Sequence, residues 1–334
     1  MKKLDFNIDL PVLLIFFVRP EPLSKVFEQI KLARPSKLYL YQDGARNGRL
    51  DDVENVQQCR AIVADVDWEC QVFHRYQEEN LGCDPSVYIA QKWMFDKEEY
   101  GVVLEDDVVP TQSFFPFCKE MLEKYKNDER IGIICGMNTI GQVDSPYSYL
   151  FARTGSISGW ATWKRNFDQC EPAYDWLNDH YNLKLLKDVL GDADYKHLIN
   201  SAKKHKRTTN PYHESILGAF THLNSKLNII PTQNLISNIG IGADGTHALD
   251  SMDKLPKGIR KVLFMKTYEL EFPLKHPKYV LEDVAYKKKL DRIMGKGYPM
   301  VQFYRLTESI MYRIKKGDFA SIIKGLKRRL KIDL

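Results

Sequence analysis

VVLEDDVVP, residues 102–110, decides how the chain is read. An apolar run, Val102-Val103-Leu104, meets three consecutive carboxylates, Glu105, Asp106 and Asp107, before two more valines and a proline. The run has the length and apolar character of a buried strand. Like charges this close repel one another. A solvated turn tolerates that repulsion, and so does a bound cation. If the strand's alternation continues through the acids, Glu105 and Asp107 point to one side and Asp106 to the other.

On either side of this stretch, strand-like and helix-like segments alternate. Val12–Phe17 is a short apolar run. Residues 22–33 carry helical spacing (Leu23, Val26, Phe27, Ile30), and Lys37–Tyr41 alternates up to the turn signal Gln42-Asp43-Gly44. Asp51 is expected to N-cap a helix through about Ala64, and Glu69–His74 reads as a strand. Asp84-Pro85 opens another helix, Gly101–Leu104 is a fourth strand, Ser113 caps a helix to about Lys126, and Ile131–Cys135 is a fifth strand. This order predicts an α/β fold with a doubly wound, mostly parallel sheet. Ligands of such sheets bind beyond the carboxyl ends of the strands. Four polar clusters fall there: Arg19, Asp43, the loop Glu78-Glu79-Asn80-Leu81-Gly82, and Glu105-Asp106-Asp107.

The second half is less regular. Ser156–Trp163 reads SISGWATW, residues 173–206 look helical and polar, and residues 211–223 look like a further helix. Leu227–Ile230, Leu235–Ser237 and the glycine-rich NIGIGADGTH (238–247) follow. We divide the chain into a nucleotide-sugar-binding half (1–140), an acceptor-side half of the same domain (141–250) and a C-terminal extension (251–334).

Of the 334 residues, 44% are hydrophobic, enough for a sizeable core in one large domain or two fused ones. The Leu10–Val18 run is too short to span a bilayer and lacks a small-residue cleavage site. The six cysteines include no C-x-x-C pair, so reduced thiols and a cytoplasmic location are expected. The net charge of +5 is a tail property: residues 313–331 hold eight Lys/Arg against Asp318 alone, leaving −2 elsewhere. That argues against a nucleic-acid groove spread over the protein. From Asp318 to Leu330 the pattern is amphipathic, with Phe319, Ile322, Ile323, Leu326 and Leu330 on one face. Such a basic helix either lies on an anionic membrane surface or packs on the domain.

Mg2+ and Mn2+ take hard carboxylate oxygens, commonly one or two from protein and the rest from substrate phosphates. Acids at a strand end suit that need, and the cation would act as a Lewis acid on a diphosphate leaving group. No G-x-x-x-x-G-K-[ST] is present and no G-x-G-x-x-G follows the first strand, which disfavours an ATPase or a dinucleotide dehydrogenase.

Arg19, Asp43, ENLG (79–82), LEDD (104–107) and GWATW (159–163) together resemble GT-A glycosyltransferases, in particular the group related to N-acetylglucosaminyltransferase I and its bacterial surface-polysaccharide relatives. The resemblance runs from about Leu10 to His247 and is most specific at LEDDVVPTQSFF, GWATW and LISNIGIGADGTH. It implies a Rossmann-like sheet and an inverting, metal-dependent transfer from a nucleotide-diphosphate sugar, with a UDP-sugar favoured, to a saccharide or lipid-linked saccharide. Asp107 then matches the metal ligand, Asp106 a ribose contact, Glu105 a contact near the donor sugar, and Arg19 and Asp43 contacts to the base. Asn80 and Gly82 belong to the same donor side, Gly159 and Trp160 to the part of the site that holds sugars, and His247 to a loop closing over the diphosphate.

The resemblance also implies an aspartate base near a tryptophan, between GWATW and NIGIG. This chain has Asn210-Pro211-Tyr212-His213-Glu214-Ser215 there, so Glu214 is the first candidate for the base and His213 the second. Each residue has a plainer reading. Arg19 pairs with Glu21 on the surface, Asp43 serves only its turn, and Trp160 and Trp163 are core aromatics. His247 is a solvated loop histidine and Glu214 a first-turn acid. The rival functions are a metal-dependent phosphoesterase or nucleotidylyltransferase, and a catalytically silent sugar-nucleotide or glycan-binding protein.

Overall fold

Strand and helix repeats lead the chain into one layered sheet. In this computed structural model, which describes residues 5, 7–208, 210–240 and 260–318, the first half runs β1 (Ile8–Phe16), α1 (Pro20–Ala33), β2 (Pro35–Gln42), α2 (Leu50–Val63), β3 (Gln71–Tyr76), α3 (Cys83–Phe95) and β4 (Tyr100–Glu105). Then come β5 (Val108–Pro110), α4 (Phe114–Lys124), β6 (Ile131–Cys135), β7 (Tyr149–Ala152), β8 (Trp160–Trp163) and α5 (Lys164–Phe167). The remainder is α6 (His180–Lys206), α7 (His213–Leu223), β9 (Leu227–Pro231), β10 (Ile236–Asn238), α8 (Val284–Met294) and α9 (Pro299–Lys315). His247 and residues 319–330 of the amphipathic tail lie outside the described residues.

The eight-stranded sheet has the order β3-β2-β1-β4-β8-β6-β9-β7. β1, β2, β3 and β4 are mutually parallel, and β6 pairs parallel with β9. β8 is antiparallel to both its neighbours, and β7 is antiparallel to β9. The sheet is therefore mostly parallel, as expected, and both halves of the chain contribute to it. Its faces are buried under two apolar clusters, one including Leu14, Val102 and Phe117, the other Leu13, Tyr39 and Trp160. That double covering is why β1 and β4 read as continuous apolar runs. Pro11 has no N–H to give the ladder, and the β1–β2 register shifts between Ile8 and Pro11.

Three local readings are completed or corrected. GWATW, given no element from the sequence, holds the reversed strand β8 (Trp160–Trp163), inserted between β4 and β6. Asp51 is not the cap of α2. Arg49 stands there, and Asp51, already inside the helix, pairs with it at 2.5 Å. The helical stretch 173–206 is a 3-10 turn (Asp175–Asn178) followed by α6, which is broken at Gly191, where φ is +73°. A second, two-stranded sheet joins β5 to β10 and brings the chain after LISN back beside the acids.

The extension docks on the sheet's far edge. Asp283 N donates to Phe151 O at 2.7 Å, and Tyr286 of α8 is 2% exposed within the second core cluster.

Candidate active site

Register places the site. Ile15 of β1 pairs with Tyr41 of β2 and with Glu105 of β4, and Gln42 pairs with Tyr76 of β3. The loops after β1, β2, β3 and β4 therefore leave the sheet at one carboxyl edge, so all four polar clusters converge. Gln42, which the sequence did not single out, ties two of them: its Nε2 donates to Phe17 O at 2.8 Å, and its Oε1 accepts from Arg60 Nε at 2.8 Å.

The acids divide differently from the alternation argument. β4 ends at Glu105, and Asp106 and Asp107 lie in the turn before β5, so the period of two does not carry across them. Arg19 reaches both: its guanidinium pairs with Asp106, and its Nη1 stands 2.9 Å from Asp107 Oδ2. Phe17 N adds a bond to Asp106 Oδ2 at 3.2 Å. Arg19 does not pair with Glu21, whose partner is Lys25 at 2.9 Å. Burial pushes the Glu105 carboxyl up to about 8, helped by the charges of Asp107 and Asp106 and opposed by Arg19. Burial likewise raises Asp106, to about 6, against the pull of Arg19.

Asp43 is 5% exposed, and all its acceptor positions are in use. Oδ1 accepts from Gly44 N (3.0 Å) and Leu81 N (2.9 Å), and Oδ2 accepts from Gly82 N (3.0 Å) and Asn80 Nδ2 (2.9 Å). Asn80 Nδ2 also donates to Gly44 O at 2.9 Å. Asp43, Asn80 and Gly82 are thus one hydrogen-bonded unit that clasps the β2 and β3 loops. Burial raises the Asp43 pKa, and the backbone N–H groups oppose that rise. Gly82 starts α3 at φ +86°, ψ 164°, a region that only glycine enters freely.

Ile239 and Gly240, just after β10, lie against the acid turn. Ile239 N donates to Asp107 O at 2.8 Å, and a Cβ on Gly240 would overlap Asp107 Oδ2. Gly240 is a residue the sequence reading missed as an individual. Only a glycine permits that approach of backbone to carboxylate.

Beside the acids opens a cavity of about 770 Å³, lined by Glu214, Leu217, Gly218, Thr221 and His222 along one face of α7. Asn238 lines it too and accepts from Gly240 N at 2.9 Å, so one residue links the cavity to the acid turn. Glu214 is exposed there, with no ion-pair partner among the described residues, and its charge helps raise Glu105. The wall's other charges are matched: Arg153 with Glu282 (2.9 Å), Lys296 with Asp194 (2.8 Å) and Asp291 with Lys287 (2.5 Å).

Three residues assigned to this half fall elsewhere. His213 is 5% exposed, stacks on Trp160 at 5.7 Å between centroids, and has Nε2 within 3.2 Å of Gln91 Nε2. Burial pushes its pKa down to about 3, which keeps the ring neutral. Trp160 is 1% exposed, because β8 lies inside the sheet with both faces covered. Gly159 precedes it, packed against Ile236 and Val108. Neither Trp160 nor Gly159 lines the cavity.

The donor set fits a hard divalent cation only in part. The described residues contain no group of three or more His, Cys, Asp or Glu side chains able to hold one unaided. One carboxylate, Asp107, 15% exposed and flanked by Glu105, suits a cation whose remaining ligands are substrate oxygens.

The fold is that of a Rossmann-like α/β protein with its polar residues gathered at the carboxyl edge. No protein-family model and no curated protein matches the chain. Among solved structures it is similar to UDP-glucose pyrophosphorylase complexed with UDP-glucose (8% identity, TM-score 0.35). It is also similar to the apo form of a UDP-glucose pyrophosphorylase (9% identity, TM-score 0.34). Each likeness covers 69% of this chain and 93% of the other.

Proposed function

We propose that the chain is a metal-dependent, inverting glycosyltransferase that moves a sugar from a nucleotide-diphosphate donor, a UDP-sugar, to a saccharide. The observation that carries this reading is the Arg19–Asp106–Asp107 cluster at the shared carboxyl edge, next to a cavity in which Glu214 has no ionic partner among the described residues. Asp107 would hold Mn2+ or Mg2+ through its carboxylate. The cation would supply Lewis-acid stabilisation of the diphosphate's negative charge. Arg19 and Asp106 bind the nucleoside side of the donor. The clasp of Asp43, Asn80 and Gly82 fixes the loops around the base.

Glu214 is the base. Its carboxylate takes the proton of the acceptor hydroxyl as that oxygen bonds to the anomeric carbon. The bond from that carbon to the diphosphate oxygen breaks on the opposite face, and the nucleoside diphosphate leaves with the electron pair. His213, neutral and packed on Trp160, anchors the first turn of α7 so that Glu214 is held toward the cavity.

Product analysis tests the assignment. Incubation with a UDP-sugar, Mn2+ and a saccharide panel is expected to yield UDP and an extended saccharide. Release of UMP would favour a phosphoesterase. UTP formation in pyrophosphate would favour a nucleotidylyltransferase, although the turn between β1 and α1, Phe17-Val18-Arg19, has no glycine with which to cradle a triphosphate. Donor binding with no product would favour a silent binding protein.

A further inference from the structure

α9 (Pro299–Lys315) contains no buried residue, yet its sequence is strongly patterned. Met300, Phe303, Tyr304, Met311 and Ile314 are 71%, 63%, 64%, 59% and 51% exposed. Their spacing places them on one face of the helix. The opposite side of the helix faces the protein. Gln302 Nε2 donates to Gly295 O at 2.8 Å and lines the cavity, and Arg305 Nη1 donates to Met294 O at 2.7 Å. The apolar stripe is therefore turned away from the fold while the back of the same helix walls the cavity that holds Glu214. Isolated exposed apolar side chains are ordinary, but five on one helix face, two of them aromatic, mark an interaction surface.

Charge selects the occupant. Between residues 284 and 318 the chain has nine Lys/Arg against three Asp/Glu, and Lys288, Lys289, Arg292, Lys315 and Lys316 are exposed. A second copy packed face to face would set like charges against like. The stripe also runs as a line about 21 Å long on a single helix. Aromatic and methionine side chains in a row, flanked by cations, fit the boundary between headgroups and acyl chains of an anionic bilayer. No described helix is long and apolar enough to cross a membrane, so the contact is one of lying on the surface.

We propose that α9 is an interfacial docking helix for anionic lipid surfaces. Where the glycosyltransferase reading holds, on which this second step rests, docking sets the Glu214 cavity at the bilayer, and the saccharide acceptor is one carried on a lipid.

Co-sedimentation of the full chain with phosphatidylcholine vesicles containing phosphatidylglycerol, and with phosphatidylcholine alone, is the test. Binding is expected to the anionic vesicles and to weaken with added salt. The triple variant Phe303→Ser, Tyr304→Ser, Met311→Ser keeps every cation, including those of residues 319–334, and should bind roughly tenfold or more weakly. Its thermal melt should match the parent's, because the replaced side chains are exposed. Failure of the parent to prefer anionic vesicles would overturn the proposal. So would a triple variant that binds as well as the parent, or a concentration-dependent dimer that the triple variant abolishes. UDP-sugar thermal shifts on both proteins separate this outcome from the catalytic assignment. Vesicle binding without any sugar-nucleotide shift keeps the docking helix and removes the transferase.

Discussion

The carboxyl edge of β1–β4 and the cavity along α7 both hold carboxylates, but they are finished in opposite ways. At the edge Asp106 and Asp107 share Arg19, and Asp43 is saturated by four N–H donors. In the cavity the wall charges Arg153, Lys296 and Asp291 are matched in pairs, and Glu214 has no ionic partner among the described residues. A site that grips a fixed anionic ligand gains from preorganised charge, whereas a group that must accept a proton from a varying substrate needs an open carboxylate. On the proposed reading, binding falls to the first region and proton transfer to the second.

The sharpest way to break this division is Asp107→Ala. Transfer should fall by about 10³-fold or more, as when a main electrostatic contact to a transition state is lost. Its melting temperature should stay near the parent's, measured by circular dichroism alongside initial rates. A comparable rate in the variant would remove Asp107 from the chemistry. Glu214→Gln comes next: kcat should drop about 10²- to 10³-fold while donor affinity by calorimetry is unchanged. A loss confined to donor affinity would move Glu214 to the binding side of the comparison.

Asp43→Ala probes the edge as a structure. It leaves four donors without their acceptor in a buried clasp, so stability should fall by roughly 2–3 kcal/mol in urea, with weaker donor binding. An unchanged midpoint would show that the clasp is not holding the loops.

The narrowest test, confined to the acid range, concerns His213. Its pKa is about 3 in the fold against about 6.5 when unfolded. Above that ordinary value both states are neutral and the residue adds no pH dependence. Between the two values the unfolded chain binds a proton that the folded one does not, so stability declines as pH falls, by up to about 1.4 kcal/mol per unit. His213→Phe should flatten the acid side of the stability profile. An identical slope in the variant would mean that His213 is not held neutral.

The first region was legible because local pattern and topology agree there. Apolar runs ending in polar clusters, with helices between them, leave a parallel sheet as the one economical solution, and the carboxyl edge follows. What sequence could not supply was the turn at Asp106–Asp107, since nothing local says that β4 stops at Glu105. Arg19 was named, but its pairing with both acids was hidden, since it stands 87 residues from Asp106 in the chain. The second region depends on non-local pairing. The resemblance puts Trp160 and Gly159 where sugars are held, and the insertion of β8 between β4 and β6 buries them instead. His213 and Glu214 are adjacent in sequence, yet helix geometry sends one into the core and the other to the cavity. Gly240 gave a weak signal, one glycine among several in NIGIG, and its role appears only when Asp107 is beside it.

The central claim is that the edge cluster binds a sugar nucleotide through a cation on Asp107. Thermal shift with a UDP-sugar, with and without Mn2+, on the parent and on Asp107→Asn measures it most directly, since a ligand of the native state raises the melting temperature in proportion to its affinity and concentration. The account predicts a rise in the parent that requires both UDP-sugar and Mn2+ and is absent in the variant. A rise of the same size in Asp107→Asn, or none in the parent with any UDP-sugar, would contradict it.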